Sequence, residues 1–125
     1  MEILRGKVIR GEQIGEKQGY PTANLSRRVL ANKKISNGVY VAETKIGNKI
    51  YKSLLVVGVP GIKKQKVGKV EVYFLKFKGN LYGQQIEVKP LKKIRPLFEY
   101  DEHIKLIARI KMDIRMAENY FKSSK

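Results

Sequence analysis

The segment Gly38-Val39-Tyr40-Val41-Ala42-Glu43-Thr44-Lys45-Ile46 is rich in β-branched and aromatic residues, and after Gly47-Asn48 the same character resumes from Lys49 to Val57. Branching at Cβ suits a pleated backbone. Glycine at the first position of a two-residue loop supplies the positive φ of a type II′ turn, so these residues are predicted to form a hairpin. Related runs occur at Glu2–Arg10, Lys69–Phe77 and Gln85–Lys93, punctuated by Gly11, Gly79-Asn80 and Gly83, while 11–37 reads as one long functional loop. The period changes only at the end: Ile104, Ile107, Ile110, Ile114, Ala117 and Phe121 recur at three and four, one face of a helix. Pro96 closes the preceding strand, Asp101 is the expected N-cap, and Glu102 suits the positive end of the helix dipole. Five or six strands joined by short turns and followed by one helix predict a mainly β fold, a closed antiparallel barrel with a C-terminal α-helix. Closure would remove the edges of so small a sheet; a flat sheet covered by the helix is the alternative.

Residues 1–125 have the size of one domain, and 42% hydrophobic residues are enough for a packed core. No run of about 18 apolar residues is present, and Met1-Glu2-Ile3-Leu4-Arg5 lacks the apolar core of a signal peptide. There is no cysteine, hence no disulfide framework and no thiolate metal site. A cytoplasmic, monomeric enzyme or binding module that does not enter a membrane is expected. Lys and Arg number 27 against 11 acids, a net charge of +16, with clusters at Lys63-Lys64-Gln65-Lys66 and from Lys89 to Arg95. Such a surface attracts polyanions, nucleic acid among them, or simply keeps the chain soluble.

There is no Walker-type phosphate loop and no Gly-x-Ser-x-Gly elbow, and His103 is the only histidine, expected to be a surface or capping residue. The stretch 11–24 is different. Gly11, Gly15 and Gly19 let the backbone bend tightly and approach a ligand, where its N–H groups can cradle phosphate oxygens. Pro21 stiffens the exit. Thr22 and Asn24 are two apart, so an extended segment projects both to one side. Their hydroxyl and amide oxygens suit Mg²⁺; an ordinary turn in which they bond the backbone is the competing reading. In Lys69 to Phe77, Val70, Val72 and Phe74 share one strand face, and Glu71, Tyr73, Leu75 and Phe77 the other. A carboxylate on that otherwise apolar face is either a general base at a barrel rim or an exposed acid beside basic neighbours.

Gly6-x-Val8-x-x-Gly11-x-x-x-Gly15-x-x-x-Gly19-Tyr20-Pro21-Thr22-Ala23-Asn24-Leu25 resembles the opening of the ATP-dependent riboflavin kinases. The resemblance continues in order through Gly38-Val39-Tyr40, Val70-Glu71-Val72, Leu81-Tyr82-Gly83, Ile94-Arg95-Pro96 with Phe98, and Asp113 with Ala117, nearly the whole chain. It implies a six-stranded Greek-key (split) barrel with a helix packed at one end, and transfer of the γ-phosphoryl of ATP to the 5′-hydroxyl of riboflavin. It further implies that Thr22 and Asn24 bind Mg²⁺ and nucleotide phosphates, that Gly11, Gly15, Gly19 and Pro21 shape the nucleotide loop, that Glu71 is the catalytic base, and that Arg95 and Phe98 contact the flavin. Several positions depart from the family pattern: Ile14 and Glu16 stand where basic residues are common, Gln18 where an apolar one is, and Val56-Val57-Gly58-Val59-Pro60-Gly61 lacks the family's Asn and Thr. The chain has no room for the adenylyltransferase domain of many bacterial relatives, so FAD synthesis is not expected. The alternatives are a basic barrel that binds single-stranded nucleic acid through strand tyrosines, or a degenerate relative that binds flavin or nucleotide.

Overall fold

The computed structural model describes residues 2–9, 22–58, 69–77, 79–97 and 103–123, without the side chains of 69, 103, 104, 106 and 107. The described residues form six strands: β1 (Leu4–Ile9), β2 (Thr22–Leu25), β3 (Gly38–Ile46), β4 (Lys49–Gly58), β5 (Lys69–Phe74) and β6 (Gln85–Arg95). A short 3-10 helix, Arg27–Leu30, follows β2, and the α-helix α1 (His103–Ser123) is the last of the described elements. All pairings are antiparallel, and the strands close in the order β1-β2-β5-β4-β3-β6. Consecutive β3, β4 and β5 lie side by side and β6 returns to flank β3, which is Greek-key connectivity.

The β3–β4 hairpin has the predicted register, nine pairs from Gly38↔Val57 to Ile46↔Lys49, and Gly47 takes φ 59° at its turn. The second expected turn works differently. β5 and β6 are not partners; the Gly79–Gly83 segment carries the chain across the barrel, braced by a hydrogen bond from the Tyr82 N–H to Asn80 Oδ1. β2 lies inside the stretch read as one loop, because four residues are too few to show a period. Pro90 is accommodated in β6 because the β3–β6 register shifts between Val41 and Ala42, the residue opposite it.

The barrel interior is filled by alternate residues of every strand, Leu4, Ala23, Leu55, Val72, Phe74 and Val88 among them. Phe77 belongs to this interior and not to the face of Glu71. Regular strand ends at Phe74, so the alternation is lost and the Phe77 ring packs 5.4 Å from Phe74 and 5.1 Å from Tyr51.

A second apolar cluster lies outside the barrel wall. Val39, Val41, Leu54 and Tyr73 point outward and are covered by Ile110, Ile114 and Ala117 of α1. The helix therefore packs against the wall and not across a barrel end as the resemblance implied, because β3 and β4 are apolar on both faces. Asp101 and Glu102, the expected cap residues, lie outside the described residues.

A buried ion pair fixes the helix. Arg95, at the end of β6, donates from Nε to Asp113 Oδ1 (2.9 Å) and from Nη2 to Oδ2 (2.7 Å), and from Nη1 to the Pro96 carbonyl (3.1 Å). Arg109, one turn before Asp113, stands 3.3 Å from the same carboxylate. Asp113 is 2% exposed. Removing one member of a buried pair leaves an uncompensated charge in a poorly hydrated place, at a cost of about 3–5 kcal/mol. Asp113→Ala is accordingly expected to lower the unfolding free energy by about that amount in urea titration; an unchanged midpoint would show that the pair contributes nothing net.

Candidate active site

β2 supplies the first half of the site. Its register with β5 sets Thr22 opposite Tyr73 and Asn24 opposite Glu71, while Ala23 and Leu25 face Val72 and Val70 in the barrel core. Strand alternation thus turns Thr22, Asn24, Glu71 and Tyr73 to the outer face, as the two-residue spacing requires. Directly opposed residues hold their Cβ atoms about 4.5–5.5 Å apart, so the four side chains form one patch.

The patch is largely withdrawn from water. Thr22 and Asn24 are 6% and 5% exposed and Tyr73 is 5% exposed, while Glu71 is half-buried. The Tyr73 hydroxyl donates to Glu71 Oε2 at 2.8 Å. Thr22 Oγ1 is buried and has no hydrogen-bond partner among the described residues. An unsatisfied buried hydroxyl costs about 1–3 kcal/mol, so a group brought to it from outside would recover that loss. A hydroxyl oxygen, an amide oxygen and a carboxylate close together are the hard donors that suit a divalent cation with phosphate oxygens, and the carboxylate can also accept a proton.

Arg95 lies on the same row of the wall. Arg95, Val39, Val56, Glu71 and Asn24 are successive partners across β6, β3, β4, β5 and β2. Three strand spacings separate Arg95 from Glu71, roughly 14 Å along the curved sheet. Arg95 is buried against α1 and bonded to Asp113 and Pro96, so its described contacts join strand to helix. Gly11, Gly15, Gly19, Pro21 and Phe98 lie outside the described residues, as do Lys63, Lys64, Gln65 and Lys66. Two features were not assigned from sequence: the Tyr73–Glu71 hydrogen bond, signalled only by their i, i+2 spacing, and the Arg95–Asp113 pair, which no local pattern connects.

The riboflavin kinase (flavokinase) family model matches residues 2–121. The RNA-binding riboflavin kinase RibR of Bacillus subtilis is 30% identical over 122 residues, 97% of this chain and 52% of that protein. A bifunctional riboflavin kinase/FMN adenylyltransferase of Buchnera aphidicola is 37% identical over 94% of this chain and 38% of its own length. Human riboflavin kinase is 32% identical over 93% of this chain and 78% of its own. Among solved structures, riboflavin kinase from Trypanosoma brucei aligns over 98% of this chain and 80% of its own with a TM-score of 0.62 at 24% identity, a likeness of fold. A Streptococcus pneumoniae crystal structure named as a macrolide-efflux protein aligns over 94% of this chain and 38% of its own, with a TM-score of 0.77 at 30% identity. A closed six-stranded antiparallel barrel with an outward patch of oxygen donors is the class that the fold defines. Within that class, the chain belongs to the riboflavin kinase family. It spans about half the length, or less, of the first curated relatives it matches.

Thr22→Val keeps the shape of the side chain and removes the orphaned oxygen. It is expected to leave the protein as stable as the parent or about 1 kcal/mol more stable in urea titration. A clear loss of stability would show that the hydroxyl has a partner within the fold.

Proposed function

We propose that this chain transfers the γ-phosphoryl of ATP to the terminal hydroxyl of the ribityl chain of riboflavin, giving FMN and ADP. The reading is carried by one observation: Glu71 sits opposite Asn24 and diagonally, two ladder positions, from Thr22, on paired strands of a chain that belongs to the riboflavin kinase family. In the reaction, Glu71 takes the proton of the attacking hydroxyl. The alkoxide oxygen bonds to the γ-phosphorus, the bond from that phosphorus to the bridging oxygen breaks, and ADP leaves with the electron pair. Phosphoryl transfer needs little covalent help from the protein; positioning and charge neutralisation lower the barrier.

The donor set fits Mg²⁺, since Thr22 offers a buried oxygen with no partner among the described residues. Thr22 and Asn24 would hold the ion, which when bound neutralises phosphate charge. Gly11, Gly15, Gly19 and Pro21 would wrap the nucleotide phosphates. Phe98 and the end of β6 at Arg95 would border the flavin, with the Arg95 guanidinium anchored by Asp113. A cytoplasmic monomer is the expected state. No helix of the described residues is long and apolar enough to cross a membrane.

The rival nucleic-acid reading relied on strand tyrosines as a stacking platform. Tyr40 is 2% exposed and Tyr73 5% exposed, so neither can stack on a base. The same burial favours the kinase reading, in which Tyr73 serves the site from within.

The test is direct: purified protein with riboflavin, ATP and Mg²⁺ should yield FMN on chromatographic separation of the flavins. Glu71→Gln, close in size and unable to accept the proton, should reduce turnover about 10²–10⁴-fold while nucleotide binding persists. Full turnover by that variant would remove Glu71 from the role of base.

A further inference from the structure

The Tyr73 hydroxyl has no place in the reaction as written, although it lies 2.8 Å from a carboxylate oxygen of the proposed base. We infer that Tyr73 is a positioning residue: its hydroxyl sets the orientation in which the Glu71 carboxylate meets the substrate hydroxyl. The inference rests on Glu71 being the base and goes beyond it to say what holds that base in place.

Glu has three rotatable side-chain bonds, and fixing such a chain costs conformational entropy. Glu71 is half-buried on an outward strand face. Tyr73 cannot swing. It has two χ angles, its ring is 5% exposed, and it belongs to the apolar cluster that joins Leu54 to Ile110, Ile114 and Ala117 of α1. The two residues are i and i+2 on β5 and share its outer face. A hydrogen bond from a packed phenol to a carboxylate is charge-assisted and directional, so it passes the rigidity of the wall–helix core to the carboxylate. Bonding one oxygen restricts where the other lies. Thr22 and Asn24, opposite Tyr73 and Glu71 on β2, are uncharged, and Val56, opposite Glu71 on β4, is apolar.

A plainer account assigns the bond to stability: a buried phenol needs an acceptor, and Glu71 happens to be near. The two accounts differ in what happens when Glu71 can no longer act. If Tyr73 works through Glu71, its hydroxyl should matter only while the base is functional. If it serves the fold, its removal should harm whatever activity remains by the same factor in either background.

The test is therefore a double-mutant cycle with Tyr73→Phe, which keeps the ring and its packing, and Glu71→Gln. Misplacement of a catalytic group by about 1 Å can cost about 10²-fold. For Tyr73→Phe the expected result is a fall in kcat of about 10-fold or more, with KM for riboflavin and for ATP changed less than about twofold, since ground-state binding is untouched. In the Glu71→Gln background, Tyr73→Phe should change the residual rate less than about twofold. Two results would overturn the inference: an unchanged kcat in Tyr73→Phe while Glu71→Gln is inactive, or an equal loss from Tyr73→Phe in both backgrounds. Full turnover by Glu71→Gln alone is a separate outcome; it overturns the base assignment and the inference with it. Urea titration of Tyr73→Phe completes the set, because a kcat loss that tracks unfolding at the assay temperature would also overturn the positioning role.

Discussion

Four residue pairs join β2 to β5, Thr22↔Tyr73 through Leu25↔Val70, and they serve barrel and site together. Without them β2 could not bridge β1 and β5, and the sheet would open between those strands. An open sheet of this size would expose two edges of unpaired backbone groups. The same four pairs place two polar residues of one strand against a carboxylate and a phenol of the other. The inward members, Ala23 and Leu25 against Val72 and Val70, are core; the outward members are the candidate chemistry. A register slip of one residue would exchange the two sets, sending Thr22 and Asn24 into an apolar interior. The burial of Ala23 and Leu25 is therefore what holds the site in register.

The outer face of the wall is organised by a different force. β3 and β4 carry apolar residues outward as well as inward, so something must cover Val39, Val41 and Leu54, and α1 does. Apolar contact alone leaves the rotation and sliding of a helix on a sheet loosely fixed. The two-pronged contact of Arg95 with Asp113 pins one point of α1 to one point of β6, and its geometry tolerates little displacement. Because Arg95, Val39, Val56 and Glu71 form one row across the wall, the pin and the proposed base are referenced to the same strands. Gly38 begins β3 at this row with φ 154°, where a Cβ would stand 2.9 Å from the Arg95 carbonyl oxygen. Its lack of a side chain lets β3 and the end of β6 approach.

Elements with a long periodic signal were legible in the sequence. The β3–β4 hairpin was indicated by its β-branched and aromatic composition and by Gly47, and α1 by the apolar spacing from Ile104 to Phe121. What escaped was short or non-local. β2 has four residues and is defined by its partners, not by its own pattern. Phe77 follows the alternation of β5 on paper, yet the strand stops at Phe74. The helix position against the wall depends on outward apolar residues of β3 and β4, which looked like ordinary strand composition. The pairing of Thr22 and Asn24 with Glu71 joins positions nearly fifty residues apart. Spacing could indicate that Thr22 and Asn24 face the same way, but only the register says what they face. The family resemblance supplied that link in advance, through the order of its motifs.

Two buried hydroxyl sites in the same barrel show how site and fold diverge. Thr44 and Ser53 are both fully buried; their hydroxyls lie 2.8 Å apart, and Ser53 donates on to the Ala42 carbonyl at 3.1 Å. That network is complete, so burial there is consistent with stability. Thr22 is nearly as buried, yet its oxygen has no partner among the described residues. Valine would fit the same strand position and would remove the defect. A fold under selection for stability alone has an inexpensive remedy at that position, and proteins depart from such remedies where function needs the group. The unsatisfied hydroxyl stands diagonally, two ladder positions, from Glu71, whose carboxylate accepts a hydrogen bond from the buried phenol of Tyr73. The local defect and the local rigidity thus fall on the same two strands, as expected of a patch built to receive a ligand and act on it.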